Sequence, residues 1–459
     1  MDRFPPRVRP GVSSPHHSLP DTSPADVPLA ELVRAFIRIG LLSFGGPAGQ
    51  IALMHRELVD ERRWVDEGSF LRALNLCTLL PGPEAQQLAV WIGWRLHGTA
   101  GGLIGGLLFV LPGAAVMLAL SVLYALAANI GMVAMIFLGI KAAVLAIVVQ
   151  AVLRMAGRAL IGPFQRGLAV ASFIALAFLA APFPLVVLLA GGAGALAMRL
   201  WPGWLRLHPS AAPAASAPIS PVRTIGTICG WLAVWAAPML LVLLALGPGH
   251  VLWQVGLFFS KLAIVSFGGA YVVLAYMAQQ AVEAMGWVSA KEMADGLGLA
   301  ETTPGPLIMV TQFVGFLGAY RMPAPFTPMV AGVLGAALTT WVTFAPCFLW
   351  IFAFAPWMAR LERSAWLQGA LAAITAAVVG VIANLSLWFA LHVLFARLVA
   401  VRAGPLRALV PALETLDWRA ALIAAVAALL LFRFRLGMLP VLGISALLGV
   451  TFHAVAGAA

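Results

Sequence analysis

Two short motifs interrupt the apolar segments of this 459-residue chain with glycine and proline, and each motif occurs twice. Ser-Phe-Gly-Gly stands at 43–46 and 266–269, and Pro-Gly-Pro stands at 81–83 and 304–306. Glycine lacks the side chain and proline lacks the N–H of a regular helical residue, so a helix is expected to break at all four places. A helix that restarts after a break presents free N–H groups and its positive dipole end, which form an anion site without a charged side chain.

The alternative is that these glycines and prolines merely allow close helix packing or a bend. Four breaks in two matching pairs favour a functional site, because unpaired backbone at membrane depth is tolerated only inside protein or along a cavity. We expect the N–H groups of Gly82 and Gly305 to contact the anion. The predicted substrate-binding residues are Ser43, Gly45, Gly46, Pro81, Gly82, Pro83, Gln86, Gln87, Lys141, Ser266, Gly268, Gly269, Thr303, Pro304, Gly305 and Pro306.

Few charged residues lie inside the apolar segments, and Lys141 stands in the middle of one of them, 130–152. Burying a lysine there costs about 3 kcal/mol, which predicts a function or a partner. A lysine that only draws water to a cavity wall is the alternative. Glu84 and Glu301 lie beside the Pro-Gly-Pro motifs and are candidate coupling acids, although Glu84 also suits a helix cap.

Motifs for catalysis, metal binding and nucleotide binding are absent from the sequence. It contains no HExxH, no GxxxxGK[ST] and no pair of aspartates inside an apolar segment. Cys77, Cys229 and Cys347 are too far apart in sequence for a CxxC site. We therefore predict no catalytic residue, no metal and no cofactor, and a gradient-driven process rather than an ATP-driven one.

The composition indicates that membrane-spanning helices carry these motifs. Hydrophobic residues make up 62% of the chain and charged residues 10%, with a mean hydropathy of +0.99, whereas soluble domains contain about 25% charged residues. We predict an all-α polytopic membrane protein with about 12–13 transmembrane segments. The net charge of +11 comes from scattered basic residues that fit cytoplasmic loops and do not indicate a nucleic-acid partner.

The chain contains an internal duplication, a common way to build a transporter. Residues 43–83 align without a gap on 266–306, an offset of 223, with 14 of 41 positions identical. A second register, offset by 234, places Lys141 opposite Thr375. The lysine therefore has no charged counterpart in the second half.

Basic residues in the loops predict that the two halves are inverted relative to each other. Arg56, Arg62, Arg63 and Arg72 precede the first Pro-Gly-Pro, whereas the equivalent loop of the second half carries only Lys291. In two further loop pairs the basic residues lie in the second half instead, and in one pair both loops are basic. The second half has an insertion at about 386–417, which leaves an additional partial crossing open there.

These patterns divide the chain into four parts. They are a disordered cytoplasmic tail (1–28), an N-terminal repeat (29–200), a cytoplasmic linker (201–223) and a C-terminal repeat (224–459). An extra apolar segment at the start of the last part would invert the second half. We expect the N-terminus in the cytoplasm and the C-terminus in the periplasm.

The motifs and their flanking residues resemble the chromate ion transporter family in its long, two-domain form. The resemblance rests on SFGGPAGQIALMHRELVDERRWV and LLPGPEAQQLAVWIGWRLHG in the first half, and on SFGGAYVVLAYM and TTPGPLIMVTQFVGFLGAYR in the second. It covers nearly the whole chain beyond the tail. It implies chromate efflux across the bacterial inner membrane by two homologous halves in opposite orientation.

The membrane potential favours export of such an anion. Each charge that crosses 100 mV is worth about 2.3 kcal/mol, so a dianion leaving a negative-inside cell gains about 4.6 kcal/mol. Two alternatives stay open: a proton-coupled importer of sulfate or another oxyanion, and a membrane scaffold or lipid-handling protein. The expected partners are a chromate or sulfate-like dianion and the lipid bilayer. The sequence does not determine the coupling ion or the oligomeric state, and a homodimer stays open.

Overall fold

The computed structural model describes residues 27–44, 46–127, 131–205, 220–267, 274, 276–361, 364–404 and 406–458. Its first half is built from α-helices joined by short connections. These are α1 (Leu29–Leu42), α2 (Gly46–His55, followed by the π-helical turn Arg56–Glu61), α3 (Glu67–Leu79), α4 (Glu84–Ala127), α5 (Gly131–Ala159), α6 (Pro163–Leu179) and α7 (Phe183–Leu200).

The second half begins with a helix that corresponds to none of those described in the first. This helix, α8, starts at Pro221, slightly before the predicted position, and most of the preceding linker lies outside the described residues. The described helices and strands are α8 (Pro221–Leu246), α9 (Val251–Val265), the π-helical turn Gln279–Ala284, α10 (Ala290–Thr302), α11 (Val310–Arg321), α12 (Pro328–Phe354), the short turn Met358–Leu361, α13 (Ala365–Leu394), β1 (Leu398–Ala403), β2 (Leu406–Pro411), α14 (Trp418–Ala428) and α15 (Met438–Ala458).

The duplication is visible in the bounds of the helices. The first π-helical turn and α3 recur, with the same lengths and at the offset of the repeated motifs, as the second π-helical turn and α10. Helix α5 recurs as α13, which starts at the offset of the second sequence register. Helices α6 and α7 recur as α14 and α15 at a larger offset. The offset grows at two insertions, the loop between α11 and α12 and the segment after α13.

The helix breaks that the sequence predicts are present where the structure describes them. Helix α1 ends at Leu42 and α2 begins at Gly46, while both Pro-Gly-Pro motifs lie between helices. Gly82 and Gly305 have φ angles of +118° and +94°, a backbone region that side-chain-bearing residues rarely adopt. Three predicted site residues lie outside the described part of the chain: Gly45, Gly268 and Gly269.

The insertion after α13 is a β-hairpin and not an additional partial crossing. Helix α13 continues to Leu394, and the antiparallel strands β1 and β2 pair from Leu398 with Pro411 to Ala403 with Leu406. Each strand has six residues, whereas a membrane-spanning strand needs about 9–11. The hairpin forms one wall of a cavity of about 530 Å³, together with residues of α6 and α13.

Six of the described helices are long and apolar enough to cross a membrane: α4, α5, α7, α8, α12 and α13. Four further apolar segments are shorter, in α6, α9, α11 with the turn before it, and α15. Helix α4 has 44 residues and would be about 66 Å long if straight, but it bends at His97 and Gly98. The multi-pass helical fold is confirmed, and the number of crossings, about 12–13, stays a prediction.

The two halves exchange their last helices. Helices α6 and α7 of the first half pack against α13, and α14 and α15 of the second half pack against α5. Glycine allows the closest approaches, because a Cβ on Gly194 would lie 2.3 Å from the carbonyl oxygen of Gly369. A Cβ on Gly449 would lie 2.1 Å from that of Met135. This interleaving buries the middle of α5 and of α13, the former carrying Lys141.

Candidate functional site

A reciprocal pair of backbone hydrogen bonds joins the helix breaks where the two halves face each other. The N–H of Gly82 donates to the carbonyl of Ser266, at 3.0 Å, and the N–H of Gly305 donates to the carbonyl of Ser43, at 2.8 Å. The two serines directly follow the last residues of α1 and α9, where helix carbonyls have no intrahelical donor. Each Pro-Gly-Pro break therefore caps a helix of the opposite half.

The hydrogen-bond donors that the sequence offered to an anion already have acceptors in this conformation. The hydroxyls of Ser43 and Ser266 donate to carbonyls of their own helices, at 2.6 and 2.8 Å, and that of Thr303 does so at 3.1 Å. The N–H groups of Gly82 and Gly305, which are expected to contact the anion, donate to the two serine carbonyls in this conformation. An anion would have to replace these acceptors.

Three buried glutamines complete the central region. Gln87 donates from its side chain to the carbonyl of Pro81, at 2.6 Å, and Gln86 donates to a carbonyl of α12, at 3.4 Å. The side-chain oxygens of both residues are buried without a hydrogen-bond partner. Gln50, which was not predicted, donates to the carbonyl of Gly305 at 2.5 Å. The amides therefore stabilise both breaks through their donors and leave two acceptors unused.

Each Pro-Gly-Pro break also packs against a proline-containing helix of the opposite half. Gly113 directly follows the internal proline of α4, and a Cβ there would lie 2.4 Å from the carbonyl oxygen of Pro304. Cys347 occupies the equivalent position in α12, and its sulfur would lie 3.0 Å from a Cβ on Gly82. The centre of the molecule is thus closely packed, with the same elements in contact on both sides.

Lys141 does not lie alone in the membrane region. Its ammonium is 3.5 Å from Oδ1 of Asp295, and the hydroxyl of Tyr124 donates to Oδ2 of the same carboxylate at 2.8 Å. The lysine and aspartate side chains are 8% and 3% exposed. The ring of Tyr124 is held edge-on to Phe137 and Phe313, at 5.1 Å between centroids in each case. We call Lys141, Asp295 and Tyr124 the charged triad.

The charged triad is separate from the central breaks. Asp295 lies two helical turns before the last residue of α10, Thr302, which corresponds to about 10 Å along the helix. The second Pro-Gly-Pro follows beyond that end. Glu301 is buried on the same helix, and Glu84 begins α4 with its side chain half-buried. The predicted site thus falls into two clusters that share α10, rather than one.

The described members of the predicted set are all buried in one of these two clusters. They are Ser43, Gly46, Pro81, Gly82, Pro83, Gln86, Gln87, Lys141, Ser266, Thr303, Pro304, Gly305 and Pro306. In the part of the chain that the structure describes, no group of three or more His, Cys, Asp or Glu side chains could hold a metal ion.

Sequence reasoning missed Asp295 and Tyr124. The segment around Asp295 also carries Lys291 and Glu292, so it reads as a polar loop instead of a buried helix. A usable signal was the Ser-x-x-Glu pattern of Ser289 and Glu292, which marks the start of a helix and therefore places Asp295 within one. No sequence signal connects that helix with Lys141.

A cavity of about 160 Å³ leads to the charged triad from the N-terminal end of α10. Its walls include Tyr124, Asp295 and, nearer the loop, Ser289, Lys291 and Glu292. Ser289 and Glu292 form a capping box that fixes this end of the helix. The arrangement gives a buried carboxylate a route to the polar end of α10.

Comparison with known proteins places both halves of the chain in one family. The family model described as chromate transporter matches residues 30–195 and 253–450, one segment in each half. A chromate transport protein of Pseudomonas aeruginosa is 33% identical over 363 residues, which cover 78% of this chain and 80% of that protein. One from Cupriavidus metallidurans is 27% identical over 77% of this chain and 80% of its own length. No solved structure matches. The chain therefore belongs to the chromate transporter family.

Proposed function

We propose that this protein exports chromate across the bacterial inner membrane and that the seam between the four helix breaks is its pathway. The observation that carries the proposal is the reciprocal capping of α1 and α9 by Gly305 and Gly82. The curated relatives that are named for chromate transport support the substrate. The names of these relatives give neither the direction nor the energy source of transport, so we infer both from physical chemistry.

The seam supplies a way to bind an oxyanion without a fixed charge. Oxyanions form shorter and stronger hydrogen bonds than carbonyls do, so a dianion can replace a serine carbonyl as the acceptor for Gly82 or Gly305. This exchange requires the two halves to separate at one break. Because each break holds the opposite half, loss of one contact loosens the halves on that side while the other break keeps them together.

The membrane potential gives the direction. A dianion that leaves a negative-inside cell without another ion gains about 4.6 kcal/mol per 100 mV, which would sustain an outward gradient on the order of a thousandfold. Uptake of the same ion would have to be driven against that potential. Export therefore needs no nucleotide-binding subunit.

The proposal is tested by expression in a chromate-sensitive bacterium that lacks its own exporter. We expect higher chromate tolerance and lower cell-associated chromate, with Gly305→Val at the same membrane level as an inactive control. Higher accumulation in the expressing cells would reverse the direction. Sulfate movement without chromate movement would change the substrate, and no movement of either ion would favour a scaffold.

A further inference from the structure

The Lys141–Asp295 ion pair joins the two halves but is incompletely satisfied. Oδ1 of Asp295 faces the ammonium at 3.5 Å and has no hydrogen-bond partner, whereas Oδ2 accepts from Tyr124. Removing two charges from water costs several kcal/mol for each ion, and attraction compensates only when the geometry and the remaining hydrogen bonds are good. Lys141 can therefore exchange Asp295 for an anion that binds the ammonium with better geometry.

The fold of the repeat does not need this pair. Thr375 stands at the position of Lys141 in α13, where its hydroxyl donates to the carbonyl of Leu371, one turn back in the same helix. Arg72 stands at the position of Asp295 in α3. The second half builds the same helices without a lysine there, and the first half builds them without the aspartate. A role beyond packing is thus expected for the two charged residues.

Asp295 can release a proton through the 160 Å³ cavity at the N-terminal end of α10, the end that the loop charges predict to face the outside. Three helices bring groups that interact with the Asp295 carboxylate through charge or a hydrogen bond. They are Lys141 of α5, Tyr124 of α4, and Lys291 of α10 itself. Glu292 also lines the cavity, but its charge is paired with Arg321 of α11. Asp417, just before α14, acts on Lys141 and not directly on Asp295.

We propose that Lys141 exchanges Asp295 for the substrate dianion, and that Asp295 takes up one proton from the cytoplasm with the dianion and releases it through the cavity. An ionised carboxylate next to a dianion in a poorly solvated site is strongly disfavoured, because like charges repel more in a low dielectric. The proton comes from water on the cytoplasmic side and binds Oδ1, and the ammonium keeps its three protons. When the dianion leaves, Asp295 loses the proton and pairs with Lys141 again.

This inference rests on the proposed function and assigns its coupling ion. One proton leaves with each dianion, so the net charge moved is −1 and not −2. The equilibrium gradient at a given potential distinguishes the two cases. At 30 mV, a net charge of −1 sustains about a threefold gradient of chromate and a net charge of −2 sustains about a tenfold gradient.

The test uses the purified full-length protein in liposomes, with a 30 mV potassium diffusion potential, equal pH on both sides and a trapped pH dye. The parent protein is expected to give about a threefold chromate gradient and to move one proton per chromate. Asp295→Asn keeps a neutral group beside Lys141, so it should give about a tenfold gradient and no proton movement. A parent that moves chromate without protons overturns the inference but leaves the proposed function standing. A parent that moves no chromate overturns the proposed function itself.

A second variant decides the matter if Asp295→Asn does not reach the membrane. Tyr124→Phe keeps the carboxylate and removes the hydroxyl that donates to it, so transport should remain proton-coupled with its pH profile displaced. Thr375→Val, at the position equivalent to Lys141, should leave gradient, proton ratio and pH profile unchanged. A Tyr124→Phe profile that coincides with the parent profile would show that the triad is only structural.

Discussion

The centre of the molecule and the charged triad differ in their symmetry. At the centre, Gly82 and Gly305 make the same bond to a serine carbonyl of the opposite half. In the triad, Lys141 faces Asp295, and neither residue has a counterpart of the same charge in the other half. The repeat therefore supplies the helix break and its cap twice, whereas the buried Lys141–Asp295 pair has no equivalent at the matching positions.

This difference assigns separate tasks to the two regions. A symmetric centre makes the inward-facing and outward-facing arrangements of the two halves similar in energy, since each arrangement breaks one bond of the same kind. In the proposed cycle, the unsymmetric charge would bind a proton and the substrate in one half only and so provide the ionic coupling. Three predictions test whether the two regions are as independent as this view requires.

The largest effect is expected when one charge of the triad is removed. Lys141→Met leaves Asp295 buried without its counter-charge, which should lower stability by about 3–5 kcal/mol and abolish transport. The double variant Lys141→Met/Asp295→Asn removes both charges and should recover most of the stability without recovering transport. Thermal unfolding in detergent and vesicle uptake measure the two properties.

Thr375→Met is the matched control for that series, because it makes the same change at the equivalent position of α13. It should leave both stability and transport close to the parent. If the single Lys141→Met variant is as stable as the double variant, Asp295 does not depend on Lys141 for its charge balance.

A smaller effect is expected from residues that differ within the symmetric centre. Gly113→Cys places a Cβ 2.4 Å from the carbonyl oxygen of Pro304, so it should cost about 1–3 kcal/mol and reduce transport. The reverse change, Cys347→Gly, opens space at the equivalent position and should be tolerated with a smaller loss. Equal losses in the two variants would mean that the two sides of the centre are packed alike.

The smallest perturbation is a single cysteine placed in each half in turn and labelled chemically, which shows on which side of the membrane each position lies. Glu61 and Ala284 are exposed and equivalent by the offset of the repeated motifs. In a Cys229→Ser background, which removes the exposed cysteine, Ala284→Cys should react with an impermeant maleimide outside the cell. Glu61→Cys should react only after the membrane is opened. Labelling of both from the same side would contradict the inverted arrangement.

Local features of the fold could be predicted from the sequence, and features that join distant segments could not. Proline and glycine act on the residues next to them, so the breaks at Ser43 and at Gly82 follow from residue type alone. That the breaks cap helices of the opposite half depends on packing between segments that are far apart in the chain. The duplication showed that equivalent breaks exist, but not which carbonyl each N–H would meet.

Charge and hydropathy were informative about Lys141 and misleading about its partner. An isolated lysine in an apolar segment predicts a partner, but Asp295 lies in a short helix that is polar at its first turn. The insertion at 386–417 was ambiguous for a related reason. Its two six-residue strands are apolar except for one arginine each, and hydropathy does not distinguish such short apolar runs from a short helix.

The exchange of the last helices has a consequence for the origin of the molecule. The buried faces of α5 and α13 are covered by helices of the opposite half, so a chain with one repeat would leave such a face bare. With the halves inverted as the loop charges predict, a single-repeat ancestor would have to assemble as a dual-topology dimer, with each copy inserted in the opposite direction. In that arrangement the unmatched helix α8 would make fusion of the two copies workable, because it would reverse the second copy within one continuous chain.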